Sequence, residues 1–218
     1  MCGRFTLSLS AEELKAALDI EVWDDEDAYV PSWNTAPSME TPVFYDGVLS
    51  MMNWGIASSK LFSSIQEKLI INIRRETFLS SLASAKRCVI PAGGYYEWMK
   101  KEKASIPYYF SPSALPLIFF AGLWYEERGK SFFAVLTTEA KGEAAKIHRR
   151  SPVILVRDLL GDWLGSETSS APGKIFDEAS ARSPEMKFYT VSGNVNCVSN
   201  NSPECIREFD YNEQPDLF

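Results

Sequence analysis

The second residue of the chain is a cysteine, followed by Gly3, Arg4 and Phe5. A small residue after the initiator Met1 is a signal for its removal. The mature chain would then carry an α-amine and a thiol on adjacent carbons of Cys2. An α-amine has a pKa of roughly 7.7–8.0 against about 10.4 for lysine, so its neutral fraction at pH 7 is roughly a few hundred times larger. It can attack a carbonyl without a special environment, or serve as base for its own thiol. The thiolate is itself a nucleophile. Gly3 lets other groups come close, and Arg4 sets a permanent charge beside the terminus. Phe5 and Leu7 alternate with Arg4 and Thr6, so one face can be buried and hold the terminus in place. Alone, a Met-Cys start is more often an accident than a site.

Three further positions carry chemistry. Asn72 follows Leu69-Ile70-Ile71 and precedes Ile73-Arg74-Arg75-Glu76-Thr77. An amide leaving a buried strand can orient a reacting group while Arg74 and Arg75 hold phosphate; spacing alone favours the other reading, in which it caps a turn and the arginines pair with carboxylates. Glu97 lies in Gly93-Gly94-Tyr95-Tyr96-Glu97-Trp98, where aromatic neighbours would raise its pKa and let it pass protons near neutrality; the other reading is an exposed strand residue. His148, the only histidine, precedes Arg149-Arg150-Ser151-Pro152. Beside two arginines it suits proton transfer near an anion, or a structural histidine next to a solvated basic face.

The elements that must position these residues read as strands with a few short helices. Residues 4–8 form a strand, and Ser10 opens a helix with Glu13 completing a capping box. Glu21 to Asp27 read as a solvated acidic loop. Val43 to Met52 form a hairpin turning at Asp46-Gly47, a type I′ pair. Residues 68–72 form one buried strand, 76–85 a helix, and 87–91, 94–99, 107–111, 117–124 and 131–137 further strands. Helices follow at 139–147, 156–164 and 173–180, with strands at 152–156 and 187–192. Clustered strands point to one mixed α+β domain over residues 1–218, with a strand-rich core (twisted sheet or barrel-like), short flanking helices and a polar tail from about 203.

Composition agrees. Of 218 residues, 45% are hydrophobic and 23% charged, which excludes disordered, collagen-like and coiled-coil chains. The net charge of −7 argues against sequence-independent coating of DNA or acidic membranes but leaves room for a local basic pocket. No stretch approaches the roughly 20 apolar residues of a membrane span. Cys2, Cys88, Cys197 and Cys205 form no Cys-x-x-Cys pair, so a structural zinc site is poorly supported, and their scatter without an export signal fits a reducing cytoplasm.

Six segments taken in order resemble the SOS response-associated peptidase (SRAP) family: Met1-Cys2-Gly3-Arg4-Phe5, Trp33-Asn34-Thr35-Ala36-Pro37, Trp54-Gly55, Asn72 to Thr77, Gly94-Tyr95-Tyr96-Glu97-Trp98 and His148 to Pro152. They run nearly the whole chain, ending near Val191-Ser192 and the Asn/Ser-rich stretch 194–203. The resemblance implies that a mature N-terminal cysteine crosslinks to abasic sites in single-stranded DNA. Cys2 would then be the nucleophile, with Asn72 and Glu97 assisting and His148 moving protons. Arg74 and Arg150 would hold phosphates, joined by Arg4 and Arg75, with Asn34 and Trp54 lining the pocket. It also implies a thiol autopeptidase that removes Met1, a lyase-type activity, a monomer, and no metal or organic cofactor. Ile73 stands where the family usually has Ala, and Ser151 where it has a hydrophobic residue. Ile56-Ala57-Ser58-Ser59-Lys60 replaces the usual Pro-x-Trp loop, which bears on a base-stacking wedge and not on the reacting centre.

Two other classes stay open. An N-terminal-nucleophile amidohydrolase would use the Cys2 thiol to form an acyl-enzyme. A non-catalytic single-strand binding domain would use the arginines and aromatics alone.

Overall fold

The computed structural model describes residues 2–20, 23, 25–62, 67–101, 104–165 and 171–211. The first strand, β1 (Phe5–Leu7), leads into helix α1 (Ala11–Leu18). The expected capping box is formed: Ser10 N donates to Glu13 Oε2 (2.7 Å) and Glu13 N to Ser10 Oγ (3.2 Å). After β2 (Ser32–Thr35) comes the hairpin β3 (Glu40–Tyr45) and β4 (Val48–Trp54), with Asp46 and Gly47 both at positive φ, as a type I′ turn requires.

The acidic segment corrects one expectation. Asp25 is not a solvated charge: it accepts Trp23 Nε1 (2.5 Å) and the Met51 amide (2.8 Å), fastening the segment to β4. Residues 21, 22 and 24 of that segment lie outside the described residues. The strand expected over 68–72 is a second correction, because it divides. β5 (Ile56–Ala57) pairs with β6 (Leu69–Ile70), where Leu69 is half exposed, and helix α2 (Ser58–Leu61) lies between them. β7 (Asn72–Arg74) turns away and leads into α3 (Arg75–Ser81).

Five long strands come next: β8 (Arg87–Ala92), β9 (Gly94–Lys101), β10 (Ala104–Pro112), β11 (Ile118–Glu127) and β12 (Lys130–Glu139). β12 runs on to Glu139 because its end pairs with a later strand, so the helix expected from 139 shrinks to α4 (Ala144–Ile147). Then follow β13 (Arg150–Pro152), β14 (Ile154–Leu155), α5 (Leu160–Leu164), α6 (Pro172–Ala181) and β15 (Met186–Thr190).

The strands β12, β4, β3, β8 and β11 close on themselves through the β11–β12 pairing, giving a five-stranded barrel. A mixed α+β fold with a strand-rich core is therefore what the chain forms. Gly122 lies close against its barrel neighbours: a Cβ there would stand 2.3 Å from Ile90 Cδ1 and 3.0 Å from the Ala134 carbonyl oxygen. β7 adds to the barrel beside β12 in parallel, with Asn72 opposite Val135 and Arg74 opposite Thr137.

A second sheet, in the order β15-β10-β9-β1-β2, packs on the barrel. β1 is therefore held on both sides: Phe5 faces Tyr95 on one and Thr35 on the other. Phe5 is fully buried and meets the barrel residues Trp54 (5.1 Å between ring centres) and Phe120 (6.0 Å). Burial of such a side chain contributes roughly 1.5–3 kcal/mol, so the alternation seen in the sequence does fasten the N-terminus into the core.

Residues 202–211 pack rather than trail. Cys205 is buried, Phe209 N donates to Thr190 O (2.9 Å), and the Tyr211 hydroxyl donates to Val191 O (2.9 Å). Among the described residues no helix is long and apolar enough to cross a membrane.

Candidate active site

The pairing of β1 with β9 continues past the strand end, with Tyr96 N donating to Arg4 O (3.0 Å). This brings Cys2 and Gly3 alongside Glu97. Cys2 is fully buried, and its Sγ lies 3.7 Å from Arg4 O. Burial pushes its thiol well above the ordinary cysteine range, and the Glu97 charge adds to the effect. From β7, Asn72 donates its amide Nδ2 to the Cys2 carbonyl at 2.7 Å. Its Oδ1 is buried and has no hydrogen-bond partner among the described residues, so one acceptor remains for an incoming N–H or O–H.

Glu97 points inward from β9 and is 3% exposed. Burial raises its carboxyl from the ordinary 4.5 to about 7. His148, at the turn after α4, places Nδ1 3.7 Å from Glu97 Oε1. The same Nδ1 lies 3.1 Å from both the amide N and the carbonyl O of Arg150. A neutral ring accepts from that N–H and a protonated ring donates to that carbonyl, so the Arg150 backbone accommodates both proton states. Burial lowers the His148 pKa, with the Arg149 and Lys100 charges acting in the same direction. Cys2, Asn72, Glu97 and His148, distant in sequence, thus meet where the second sheet abuts β7 and the α4–β13 turn. An acid poised near neutrality, beside a mostly neutral imidazole and an amide, is equipped to shuttle protons at the terminus.

The remaining expected residues separate into two groups. Arg74 is exposed and has no ion-pair partner among the described residues. Arg75 approaches Glu76 (3.6 Å) and Asp177 (3.9 Å). Arg150 sits beside Thr137, opposite Arg74 in the β7–β12 register, and donates to the Thr137 carbonyl and to Glu76. Arg4, by contrast, donates to Asn34 Oδ1 (2.6 Å) and to the Val195 carbonyl (2.7 Å). Asn34 is fully buried and donates to the carbonyls of Val195, Cys197 and Asn200. Both fasten the 193–200 segment against β1 and β2. Trp54 has no exposed surface, stacks on Phe133 at 6.1 Å and donates its indole N–H to Ile71 O.

Sequence reading did not single out Thr137 or Glu76, the two side chains that seat Arg150. Glu76 stood inside the quoted Asn72–Thr77 motif, but only the fold brings it to Arg150. A cavity of about 430 Å³ opens beyond Tyr95, lined by Arg75, Phe110, Ser151, Phe176 and Phe188. None of Cys2, Asn72, Glu97 or His148 lines it. Among the described residues no three His, Cys, Asp or Glu side chains gather where a metal would sit.

The SOS response associated peptidase (SRAP) model matches residues 1–198. The chain belongs to this family. Two proteins of Bacillus subtilis (strain 168), the abasic site processing proteins YoaM and YoqW, are each 32% identical to it. The alignments span 94% of this chain and 97% and 99% of those proteins. The abasic site processing protein HMCES of Gallus gallus is 27% identical over 94% of this chain and 77% of that protein. A crystal structure of a protein from Bacteroides thetaiotaomicron has a fold similar to that of this chain, with a TM-score of 0.78 at 21% identity, over 96% of this chain and all of that one.

Proposed function

We propose that this SRAP protein recognises abasic sites in single-stranded DNA and bonds to them covalently through Cys2, once Met1 has been removed. The observation that carries the reading is the convergence of Asn72, Glu97 and His148 on the first residues of a firmly seated N-terminus. The names of the B. subtilis and chicken relatives support it. In the ring-opened sugar of an abasic site, C1′ is an aldehyde. The neutral α-amine of Cys2 adds to it, and loss of one water gives a Schiff base. The thiol then adds to the same carbon, its proton passes to the nitrogen, and a five-membered thiazolidine closes. Both nucleophiles belong to one residue, so the second addition is intramolecular and strongly favoured.

Glu97, near pH 7, takes the amine's proton and gives one to the departing hydroxyl. His148 moves protons as the sugar opens or the adduct reverses. Asn72 holds the terminus through the Cys2 carbonyl and offers Oδ1 to the amine or the sugar. Arg74, Arg75 and Arg150 hold phosphates, while Arg4 and Asn34 build the wall behind the terminus. Such a protein acts in the DNA damage response, in the cytoplasm, as a monomer without a cofactor.

The amidohydrolase reading makes its first bond with the thiolate, which burial of Cys2 disfavours, whereas the proposed reaction starts at the amine and uses the thiol only in an intramolecular closure. Incubation with abasic and intact single strands of one sequence, followed by a denaturing gel, tests the proposal. A retarded band with the abasic strand alone is expected. If the mature protein's mass stays unchanged, the crosslinking reading fails; affinity that survives Cys2→Ala without any bond points to a binding domain.

A further inference from the structure

Glu76 lies against two of the three arginines expected at phosphates. Arg150 Nη1 and Nη2 meet Glu76 Oε1 and Oε2 at 3.4 and 3.1 Å, the two-point arrangement a guanidinium also offers to a phosphate. Arg75 Nε lies 3.6 Å from Glu76 Oε1. The Arg150 side chain is only 10% exposed, and Nη2 also faces inward to the carbonyl and hydroxyl of Thr137. Its outward edge is thus the one that Glu76 covers.

Glu76 itself is 55% exposed at its side chain, so its carboxylate can swing out to solvent and leave the outward edge of Arg150 to another anion. Burial is the largest single influence and raises its carboxyl, but the Arg150 hydrogen bond, a backbone hydrogen bond and the Arg150 and Arg75 charges together outweigh it and hold the group below the usual carboxylate range. It therefore remains an anion at neutral pH. Arg74 nearby is exposed and without an ion-pair partner among the described residues. Of these three arginines, Arg74 is open, while Arg150 and Arg75 both lie against the internal anion Glu76.

We propose that Glu76 is a specificity-determining residue: its carboxylate stands in for a phosphate on Arg150, and a phosphodiester of the bound strand must displace it. This rests on the nucleic-acid reading of the site and adds to it a reason for weak binding of undamaged strands. A strand without an abasic site has only phosphate contacts to set against Glu76. A strand anchored at Cys2 displaces the carboxylate within a complex already held.

The test is fluorescence anisotropy of a short labelled oligothymidylate lacking an abasic site, with the mature wild type, Glu76→Gln and Glu76→Asp. Removing the competing charge should tighten Glu76→Gln binding about threefold to tenfold. Arg150 then also becomes a full phosphate contact, so the slope of log affinity against log salt should steepen by about 0.7. Glu76→Asp keeps the charge but draws it back by one methylene, and should show a smaller gain. It carries the test if the amide variant does not fold. A salt slope distinguishes this role from a purely structural ion pair, whose loss would leave the slope unchanged. Wild-type binding with equal or weaker binding by both folded variants overturns the proposal alone. Absence of binding by all three proteins overturns the nucleic-acid reading with it.

Discussion

Replacing Glu97 by Gln should stabilise the protein, and increasingly so as pH rises. Burial holds the Glu97 carboxyl at about 7 in the folded chain against an ordinary value of 4.5. Between these values the folded chain keeps a proton that the unfolded chain has lost. Unfolding then releases a proton, and stability declines with pH through this window. Below about pH 4.5 both states are protonated and the cost is absent; above about 7 both are ionised and it is complete. At about 1.36 kcal/mol for each pH unit, the gap corresponds to about 3 kcal/mol. Glutamine keeps the size of the side chain and removes the ionisation. Urea unfolding of both proteins, followed by tryptophan fluorescence, should show a stability difference that grows by about 3 kcal/mol between pH 4.5 and pH 8. Titrating groups distant from Glu97 cancel in that difference. The same variant should crosslink about 10²- to 10⁴-fold more slowly, the usual worth of one proton-transfer group. A difference that does not vary with pH would refute the raised carboxyl, and with it the reason for assigning Glu97 the proton transfer.

His148→Ala should slow both formation and reversal of the adduct, leaving a species that appears late and persists; time courses with and without excess competitor strand check this, and wild-type rates in both directions would return His148 to a structural role. Arg74→Ala should flatten the salt dependence of single-strand binding by about 0.7 per lost phosphate contact, measured by titration at several salt concentrations. An unchanged slope would place Arg74 outside the strand's path. Gly94→Ala should destabilise the fold by about 1–3 kcal/mol, because its Cβ would fall 2.4 Å from the Phe110 carbonyl oxygen, and an unaltered urea midpoint would contradict that close approach.

What the sequence discloses depends on how local the determining interaction is. The Ser10–Glu13 box and the Asp46-Gly47 turn involve neighbours only, and both read correctly from residue type. Asp25 looked like solvated charge because the contact that ties it to the sheet, the Met51 amide, lies 26 residues on. The strand expected over 68–72 looked continuous because Leu69, Ile70 and Ile71 are equally apolar. Only the competing pairings, β6 with β5 and β7 with β12, divide it. Barrel closure needs the β11–β12 and β3–β8 contacts together, and no periodicity in one strand encodes them. At the candidate site, Cys2, Asn72, Glu97 and His148 could be picked out by type and by resemblance, while their convergence could not. The bonds of Arg4 and Asn34 to carbonyls at 195–200 were hidden for the same reason. Nothing near residues 4 or 34 announces partners more than 160 positions away.

The central claim is that the α-amine of Cys2 makes the first bond. Intact-mass spectrometry tests it on two forms of the protein: one with Met1 removed, and one with an uncleavable residue before Cys2. Each is incubated with abasic single-stranded DNA, with and without borohydride. Retaining the preceding residue turns the amine into an amide, which is not nucleophilic, and leaves the thiol chemically intact. The account expects a stable adduct from the processed form and none from the extended one. A stable adduct on the extended form, its N-terminus confirmed, would contradict it.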